Sequence, residues 1–349
     1  MDVALSVRGL RAYYLTSHFG VEREVRAVDD ITLSVEKKEI YGIAGESSCG
    51  KSTFIRTIAA AIRPPLRVLG GSIRYSFLDR ELYDLGERAL TDMRWKHLSC
   101  ILQGSMNVLN PVRRVRESFK DFASPHMGLA RSEFFDAVKA HLKRLRLPPT
   151  VLSAFPHELS GGMRQRVAIA LATVCRPEFI IADEPTTALD VVVQKDVLAL
   201  ILEMQREIGS SMIFVTHDLT VHANISNRLG IMYAGRLVEE GSTRDILRDP
   251  MHPYTRHLIA SLPRIGDVTP KKGLSGAPPS LADPPPGCRF HPRCPLAMDI
   301  CRQTHPELTA LAPGRRVACY AVSPLVQPAH DAAAARKATK ADKSAAFLQ

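Results

Sequence analysis

The sequence predicts an α/β fold in which a mostly parallel sheet is covered by helices on both faces. Three apolar strands lead to this prediction, at residues 40–44, 179–181 and 212–215. Helical periodicity follows the first strand, at about 51–62, and separates the other two, at 193–208. Strands that alternate with helices form parallel sheets, because each helical crossover returns the chain to the same end of the sheet.

An N-terminal antiparallel β-subdomain is predicted to precede this core. Residues 3–7 form a short apolar run. Residues 31–35 alternate between apolar and polar side chains, which is the period of a half-buried strand. The first 50 residues are expected to contribute strands and turns.

Two further segments interrupt or follow the core. Residues from about 104 to 166 lack a strand pattern and carry apolar side chains at helical spacing, which predicts an inserted α-helical subdomain. Beyond residue 240 the chain is rich in proline and holds four of its seven cysteines, which predicts a small Cys-rich C-terminal appendage at 241–324. Residues 325–349 are expected to be a disordered tail. The main domain is then expected to span residues 1–240.

Composition narrows the class of protein. The chain has 349 residues and a net charge of +10, which suits an anionic ligand, an anionic membrane surface or a nucleic acid without choosing among them. The longest apolar runs stop near nine residues, whereas a membrane-spanning helix needs about twenty. A secretory signal is not expected from the N-terminal residues, and an odd number of cysteines favours a reducing cytosol.

A phosphate-binding loop is predicted between the first core strand and its helix. Its glycines, Gly45 and Gly50, and the pair Lys51-Ser52 have the spacing of that motif, in the strand–loop–helix context it requires. Backbone N–H groups of such a loop converge on phosphate oxygens at a helix N-terminus. A chance glycine-rich turn is the alternative. The residues predicted to bind phosphate are Gly45, Ser47, Ser48, Cys49, Gly50, Lys51, Ser52 and Thr53.

Two carboxylates follow the second core strand. Asp183 ends the strand and Glu184 comes directly after it. A carboxylate in this position can hold Mg²⁺, while its neighbour can orient and deprotonate an attacking water. The same pair at a strand end is elsewhere often only a solvated turn. Its place downstream of a phosphate-binding loop favours the reading as the second half of a nucleotide site.

The segment 159–165 is the most specific motif in the chain. Ser160, Gly161 and Gly162 open an apolar helix, and Gln165 follows within its first turns. A hydroxyl and free N–H groups at a helix N-terminus can bind an anion. The simpler interpretation is a helix cap by Ser160.

Together these motifs resemble the nucleotide-binding subunit of an ATP-binding cassette transporter, whose core is a RecA-like P-loop ATPase. Gln103 resembles the glutamine of the family's Q-loop, Asp190 the aspartate of its D-loop and His217 its switch histidine. The resemblance implies that two such subunits face each other head to tail. Each ATP then lies between the phosphate loop of one subunit and the Ser-Gly-Gly motif of the other.

The resemblance also assigns residue roles. Glu184, His217 and Gln103 are implied to be catalytic, and Mg²⁺ is implied to be held by Ser52, Gln103 and Asp183. Ser160, Gly161, Gly162 and Gln165 are implied to contact the partner's ATP. Tyr14, or alternatively Tyr13, is implied to stack on adenine. Ser48 departs from the family, which usually has glycine there; a positive φ at this position would add strain.

The C-terminal third resembles one branch of the family. Residues 249–255 and the cysteine-rich segment are similar to ATPase subunits of oligopeptide and dipeptide importers, whose relatives also carry nickel or oligosaccharides. This implies a second, different cassette subunit, two transmembrane permeases and an extracytoplasmic substrate-binding protein as partners, with no nucleic acid. It also implies a peripheral location on the cytoplasmic face of the inner membrane.

Four cysteines, Cys288, Cys294, Cys301 and Cys319, could hold a metal as thiolates. Zn²⁺ and an iron–sulfur cluster both fit four thiolates. The resemblance to importer subunits favours a 4Fe–4S cluster, with zinc or reduced packing thiols as alternatives.

Two other functions are alternatives to import. One is a soluble cassette ATPase acting on nucleic acid or ribosomes, and another is a regulatory module that only binds nucleotide. Sustained heptads and Lys/Arg runs interleaved with aromatics are absent from the sequence, which disfavours the first. Glu184 and His217 disfavour the second.

Overall fold

The computed structural model describes residues 2–18, 20–102, 109–187, 189–262, 274 and 276–322. Within these residues the strands are β1 (Val3–His18), β2 (Val21–Glu36), β3 (Ile40–Ala44), β4 (Leu66–Tyr75), β5 (Leu98–Ile101), β6 (Phe179–Asp183), β7 (Ser211–Val215), β8 (Arg228–Tyr233), β9 (Arg236–Ser242), β10 (Thr309–Ala312) and β11 (Arg315–Val317).

The helices in the same part of the chain are α1 (Lys51–Ile58), α2 (Glu87–Met93), α3 (Val115–Phe122), α4 (Ser124–Met127), α5 (Arg131–Arg144), α6 (Gly161–Thr173), α7 (Val191–Ile208), α8 (Leu219–Ile225), α9 (Thr243–Arg248), α10 (Pro253–Ala260) and α11 (Asp299–Gln303).

Two sheets organise these elements. The larger has the order β10-β11-β9-β8-β3-β7-β6-β5, and its strands from β8 to β5 run parallel to one another. The smaller has the order β2-β1-β4 and is antiparallel throughout. Both predictions, a mostly parallel core sheet and an N-terminal antiparallel β-subdomain, are confirmed.

The core sheet is covered on both faces, as its alternating side chains show. Met212 and Phe214 of β7 pack into one cluster with α6, with α7 and with the helices of the inserted segment. Ile213 and Val215 of the same strand pack on the opposite face with α1 and the N-terminal sheet. Because successive side chains of a strand point to opposite faces, every residue of β7 is buried, and the strand is a continuous apolar run.

The inserted segment is helical, as predicted. Its described part, from residue 109 to the start of α6, contains α3, α4 and α5 and no strand. Phe119, Phe134, Val138 and Leu142 form the buried faces of α3 and α5, whereas Phe122 is 44% exposed. This subdomain therefore packs on the core through one apolar face of α3 and one of α5.

Helix α1 is shorter than the sequence predicts. It ends at Ile58 rather than near residue 62. Ala60 adopts a left-handed conformation with φ of 50°, which an α-helix cannot continue. Apolar periodicity alone did not reveal this early end.

The C-terminal region extends the core sheet. Strand β11 pairs with β9, and its two arginines reach buried carboxylates of that strand. Arg315 donates to Glu239 at 3.1 Å, and Arg316 donates through Nε to Glu240 at 2.6 Å. Glu239 and Glu240 are 0% and 1% exposed. A buried charge is unfavourable unless it is paired, so the two buried glutamates of β9 depend on the arginines of β11.

No helix among the described residues is long and apolar enough to cross a membrane.

Removing one of these arginines is expected to destabilise the fold. Arg315→Ala leaves Glu239 buried with two backbone donors, from Met251 and His252, but without its cation. Breaking a buried pair in this way costs about 3–5 kcal/mol, so the free energy of unfolding in urea should fall by about that amount. Arg248→Ala, on the exposed side of α9, is the matched control and should change it by less than about 0.5 kcal/mol. Equal, small losses for the two variants would contradict this reading.

Candidate functional site

The predicted phosphate loop joins β3 to α1 in the structure. Gly50 caps α1 with φ of 106°, and a Cβ there would lie 2.0 Å from the carbonyl oxygen of Ala27 in β2. Any side chain at this position would therefore collide with backbone, in a conformation that other residues rarely adopt. The motif's second glycine is thus explained by close packing of the loop on β2.

Lys51 is held within the loop that precedes it. Its Nζ donates to the carbonyl oxygens of Gly45 at 2.7 Å and Glu46 at 2.9 Å. Only 7% of the residue is exposed. The ammonium is thereby fixed at the N-terminus of α1, where helix N–H groups also favour an anion.

Ser48 and Cys49 complete the loop. Ser48 has φ of 64°, so the departure from glycine does place a serine in the left-handed region. Cys49 is buried with its Sγ 3.6 Å from Lys51 Nζ, and burial raises the pKa of this thiol. Ser52 is exposed on the first turn of α1, and Thr53 is buried.

The two predicted carboxylates lie at the same edge of the sheet as this loop. Strand β7 separates β3 from β6. Asp183 ends β6, and Glu184 follows it with φ of 45°, its N–H bonded to Val215 of β7 at 2.8 Å. A non-glycine residue held at positive φ is strained, and such strain clusters at functional sites. The parallel strands thus bring these acids beside the phosphate loop.

Asp183 is the most perturbed carboxyl group at this edge. Burial raises its pKa to about 6, and the neighbouring charge of Glu184 adds to that rise. The positive charges of Lys51 and Arg56 act in the opposite direction. Lys51 is therefore close enough to Asp183 to interact with it, and a cation bound here would be favoured by a poorly solvated carboxylate.

The side chain of Glu184 is oriented by contacts with His217 and Thr187. One carboxylate oxygen lies 3.2 Å from Nδ1 of His217, and the other accepts a hydrogen bond from the Thr187 hydroxyl at 2.9 Å. The His217 side chain is 65% exposed, whereas that of Glu184 is 16% exposed. The structure therefore brings together Lys51, Asp183, Glu184 and His217.

The Ser-Gly-Gly motif lies at the N-terminus of α6. Ser160 is exposed and caps the helix, its Oγ accepting from the N–H of Met163 at 3.3 Å. A Cβ at Gly162 would lie 2.8 Å from a methyl group of Val193 in α7, so this glycine lets the two helices approach. Gln165 is 3% exposed and donates to the carbonyl oxygen of Pro185. Its side chain thus ties α6 to the segment that follows Glu184.

Asp190 begins α7. Its carboxylate accepts from the N–H groups of Val192 and Val193 at 3.1 and 2.9 Å, which is the geometry of an N-cap. The residue is exposed, as are Val191 and Val192 beside it, at 69% and 73%. Two exposed valines, Val191 and Val192, therefore lie directly after the N-cap residue Asp190.

The two tyrosines of β1 differ in their surroundings. Tyr13 is buried, and its hydroxyl donates to Asp29 at 2.6 Å. Tyr14 is half-buried, with its hydroxyl 3.2 Å from the Thr53 hydroxyl of α1. Tyr14 is thus the tyrosine beside the phosphate loop. Gln103 lies outside the described residues.

The four C-terminal cysteines are free thiols. The N–H of Cys288 donates to the carbonyl oxygen of Cys301 at 2.8 Å, so these two residues are in contact through their main chains. Burial raises the pKa of Cys288 to about 12 and that of Cys319 to about 11, and the charges of neighbouring thiols add to both rises. Yet the part of the chain that the structure describes contains no group of three or more His, Cys, Asp or Glu side chains placed to hold a metal ion. The structure therefore does not support the predicted iron–sulfur cluster.

Sequence reasoning missed the contacts that hold the phosphate loop from outside. Tyr254 of α10 accepts from the N–H of Glu46 at 2.8 Å, and Arg293 pairs with the Glu46 carboxylate. Arg293 is 247 positions away along the chain, so no local pattern connects it to the loop.

Comparisons with known proteins identify the family. An ABC transporter family model matches residues 28–187, and a model of the oligopeptide/dipeptide transporter C-terminal region matches residues 238–301. The chain is 39% identical over 323 residues to the dipeptide transport ATP-binding protein DppD of Caldanaerobacter subterraneus, covering 92% of this chain and 97% of that protein. The chain belongs to the ATP-binding subunits of ABC transporters.

Other ABC proteins support this membership. The oligopeptide transport ATP-binding protein OppD of Salmonella typhimurium is 40% identical over 322 residues, covering 91% of this chain and 94% of that protein. Among solved structures, a dimeric ATP-binding cassette, MJ0796, bound to ADP and Pi matches with a TM-score of 0.58 and 25% identity, over 69% of this chain and 99% of that chain. The resemblance inferred from the motifs, the ABC cassette fold and the ATPase class are confirmed.

The left-handed serine of this ABC loop gives a test of backbone strain. A left-handed conformation costs a non-glycine residue about 1–2 kcal/mol, and glycine loses about 0.5–1 kcal/mol more entropy on folding. Ser48→Gly should therefore raise the free energy of unfolding by up to about 1 kcal/mol. Ser47→Gly is the matched control; Ser47 lies outside the positive-φ region, so this change should lower stability or leave it unchanged. A loss of stability in Ser48→Gly would show that φ is not what limits this position.

Proposed function

We propose that this chain is the ATP-hydrolysing subunit of a membrane importer for oligopeptides or dipeptides. One observation carries the chemistry: the ammonium of Lys51 and the side chains of Asp183, Glu184 and His217 meet at one edge of the core sheet. A loop that binds phosphate, a carboxylate for a cation and a carboxylate for water are the parts that phosphoryl transfer to water requires.

The phosphates of ATP bind the loop from Gly45 to Thr53. Lys51 supplies the positive charge, and its ammonium is already aimed by two loop carbonyls. Tyr14 stacks on the adenine. This assignment is supported by the position of Tyr14, which is half-buried with its hydroxyl 3.2 Å from that of Thr53. The Tyr13 hydroxyl, in contrast, donates to Asp29.

Asp183 and Ser52, with Gln103, hold the Mg²⁺ that accompanies the nucleotide. The donor set fits, since Mg²⁺ prefers oxygen ligands and Asp183 is a poorly solvated carboxylate whose pKa burial has raised. When bound, Mg²⁺ offsets the negative charge of the phosphates.

Glu184 accepts the proton of the attacking water, and His217 contacts the γ-phosphate. The 3.2 Å contact between these two side chains supports a shared function, because each then limits the other's orientation. The Thr187 hydroxyl holds the second carboxylate oxygen of Glu184.

A second cassette completes each ATP site. Ser160 and the adjacent glycines, Gly161 and Gly162, face that partner's nucleotide, with Gln165 behind them and Asp190 at the same interface. Three observations support this arrangement: Ser160 is exposed, Asp190 is exposed, and the two apolar residues beside it, Val191 and Val192, are 69% and 73% exposed. We infer that the partner is a different subunit.

The cargo and location follow from relatives. The C-terminal match to oligopeptide/dipeptide transporters and the names of the similar proteins support peptide as the cargo class. The chain then works with two transmembrane permeases and an extracytoplasmic binding protein, from the cytoplasmic face of the membrane. The main domain is assigned to residues 1–240 and the transporter-specific region to 241–324.

The 4Fe–4S cluster at Cys288, Cys294, Cys301 and Cys319 stays a prediction. Its support is the resemblance of the cysteine-rich segment to importer ATPase subunits, whose C-terminal family model matches residues 238–301. Iron, acid-labile sulfide and zinc are measured in anaerobically purified protein: iron with sulfide would indicate the cluster, stoichiometric zinc a zinc site, and none of these plain thiols.

Glu184→Gln tests the proposed function. The change keeps the shape of the side chain but removes the proton acceptor, so ATP hydrolysis by the assembled transporter should fall by about 10²–10⁴-fold, while ATP still binds. Uptake of a labelled dipeptide by cells that carry only this variant should be lost with it.

Glu203→Gln is the matched control. Glu203 lies on α7 in an exposed ion pair with Arg146, so hydrolysis and uptake should stay near those of the wild type. Normal hydrolysis in Glu184→Gln would overturn the assignment of this residue. Lost hydrolysis with normal dipeptide uptake by these cells would instead keep the assignment of the chain as an ATPase and contradict dipeptides as its cargo.

A further inference from the structure

Glu46, the second residue of the phosphate loop, is held by the C-terminal region. Its carboxylate oxygens accept from the two terminal nitrogens of Arg293, at 2.8 and 3.1 Å. Its backbone N–H donates to the Tyr254 hydroxyl at 2.8 Å. One loop residue is therefore fixed both by its side chain and by its main chain, from a segment more than 200 positions away in sequence.

The surroundings of Arg293 fix its guanidinium group. Its side chain is only 6% exposed, and it also donates to the Tyr233 hydroxyl at 3.2 Å and lies over that ring. The Tyr233 ring in turn packs against the ring of Tyr254 at 4.6 Å between centroids. A planar fork paired with two carboxylate oxygens at once is an arrangement that lysine cannot reproduce.

The charge of Glu46 is the reason this pairing matters. Glu46 touches the phosphate-binding machinery directly, since its carbonyl oxygen accepts from Lys51 Nζ at 2.9 Å. The carboxylate belongs to this same loop residue, so it would repel the phosphates of a nucleotide bound to the loop unless another cation offset its charge. Arg293 is that cation, and its low exposure limits screening by solvent.

We propose that Arg293 is a positioning residue for ATP binding, which neutralises Glu46 and holds it away from the nucleotide's phosphates. The inference rests on the proposed function, since it requires that this loop binds ATP. It gives the C-terminal region a direct part in nucleotide affinity, in addition to any role toward the permeases or the cargo.

The experiment measures ATP affinity of the purified full-length chain by calorimetry in the presence of Mg²⁺. Arg293→Gln exposes the loop to an uncompensated carboxylate, so the Kd for ATP should rise about tenfold or more, which corresponds to about 1.4 kcal/mol. Glu46→Gln removes the repulsive charge and should bind ATP at least as tightly as the wild type. The double variant, Glu46→Gln with Arg293→Gln, should recover most of the affinity lost in Arg293→Gln.

The ATP affinities of these variants distinguish two effects of Arg293: neutralising the charge of Glu46 and only holding the loop in place. If Arg293 only braced the loop, Glu46→Gln and Arg293→Gln would weaken ATP binding alike, and the double variant would not recover; that result would overturn the proposal. An unchanged Kd in Arg293→Gln would overturn it as well. Arg244→Gln, which removes the same charge from an exposed position on α9, is the matched control and should leave Kd unchanged.

Folding and the proposed function are tested alongside. Arg293→Lys keeps the charge without the double contact, so it should bind ATP better than Arg293→Gln; if the Gln variant does not fold, equal weakening in Arg293→Lys and Glu46→Gln would overturn the proposal. A wild-type chain that fails to bind ATP would overturn the proposed function itself. If the wild type binds ATP and the Arg293 variants bind it with the same Kd, only the inference about Arg293 would be overturned.

Discussion

The phosphate loop must leave its binding surface accessible while its backbone is held in place. Contacts from several parts of the structure meet this constraint. From the inside, the Lys51 ammonium bonds two loop carbonyls. From below, Gly50 lets the loop settle against β2 at a distance no side chain would allow. From the outside, Tyr254 and Arg293 take the N–H and the carboxylate of Glu46. The contacts that hold the loop come from the protein itself, which lowers the cost of ordering the loop on binding.

Buried charge links distant parts of the chain in the same way. Asp29 of β2 accepts from Tyr13 and from the arginines Arg236 and Arg289, and the last of these lies 260 positions away. The pairs of Glu239 and Glu240 with Arg315 and Arg316 repeat the pattern at the other end of the C-terminal region. A buried carboxylate without its cation is strongly unfavourable. The C-terminal region therefore stabilises the cassette by supplying the arginines that pair with its buried carboxylates.

Local patterns were sufficient for the part of the site that lies at strand ends. The apolar runs ending at Ala44, Asp183 and Val215 predict parallel strands, and parallel strands bring their carboxyl ends to one edge, so the meeting of Lys51, Asp183 and Glu184 could be foreseen. The left-handed φ at Ser48 was foreseeable too, from the residue it replaces in the family.

Other features depend on distance in space and not on sequence pattern. Nothing near Arg293 indicates that it reaches Glu46, and nothing near Arg315 indicates that it reaches Glu239. The early end of α1 depends on the conformation of Ala60, which apolar spacing does not report. The four cysteines show the converse limit: residue type suggested metal binding, while their placement in the structure does not support it.

The central claim, that the loop from Gly45 to Thr53 binds Mg²⁺–ATP in this chain alone, has a direct test in ligand-linked stability. Unfolding of the purified chain is followed with and without Mg²⁺–ATP, for the wild type and for Lys51→Ala. A ligand at about a hundredfold excess over its Kd stabilises the folded state by about 2.7 kcal/mol, so the wild type should unfold at a higher temperature when ATP is present. Lys51→Ala should lose most of that rise. No rise in the wild type, or an equal rise in Lys51→Ala, would contradict the account.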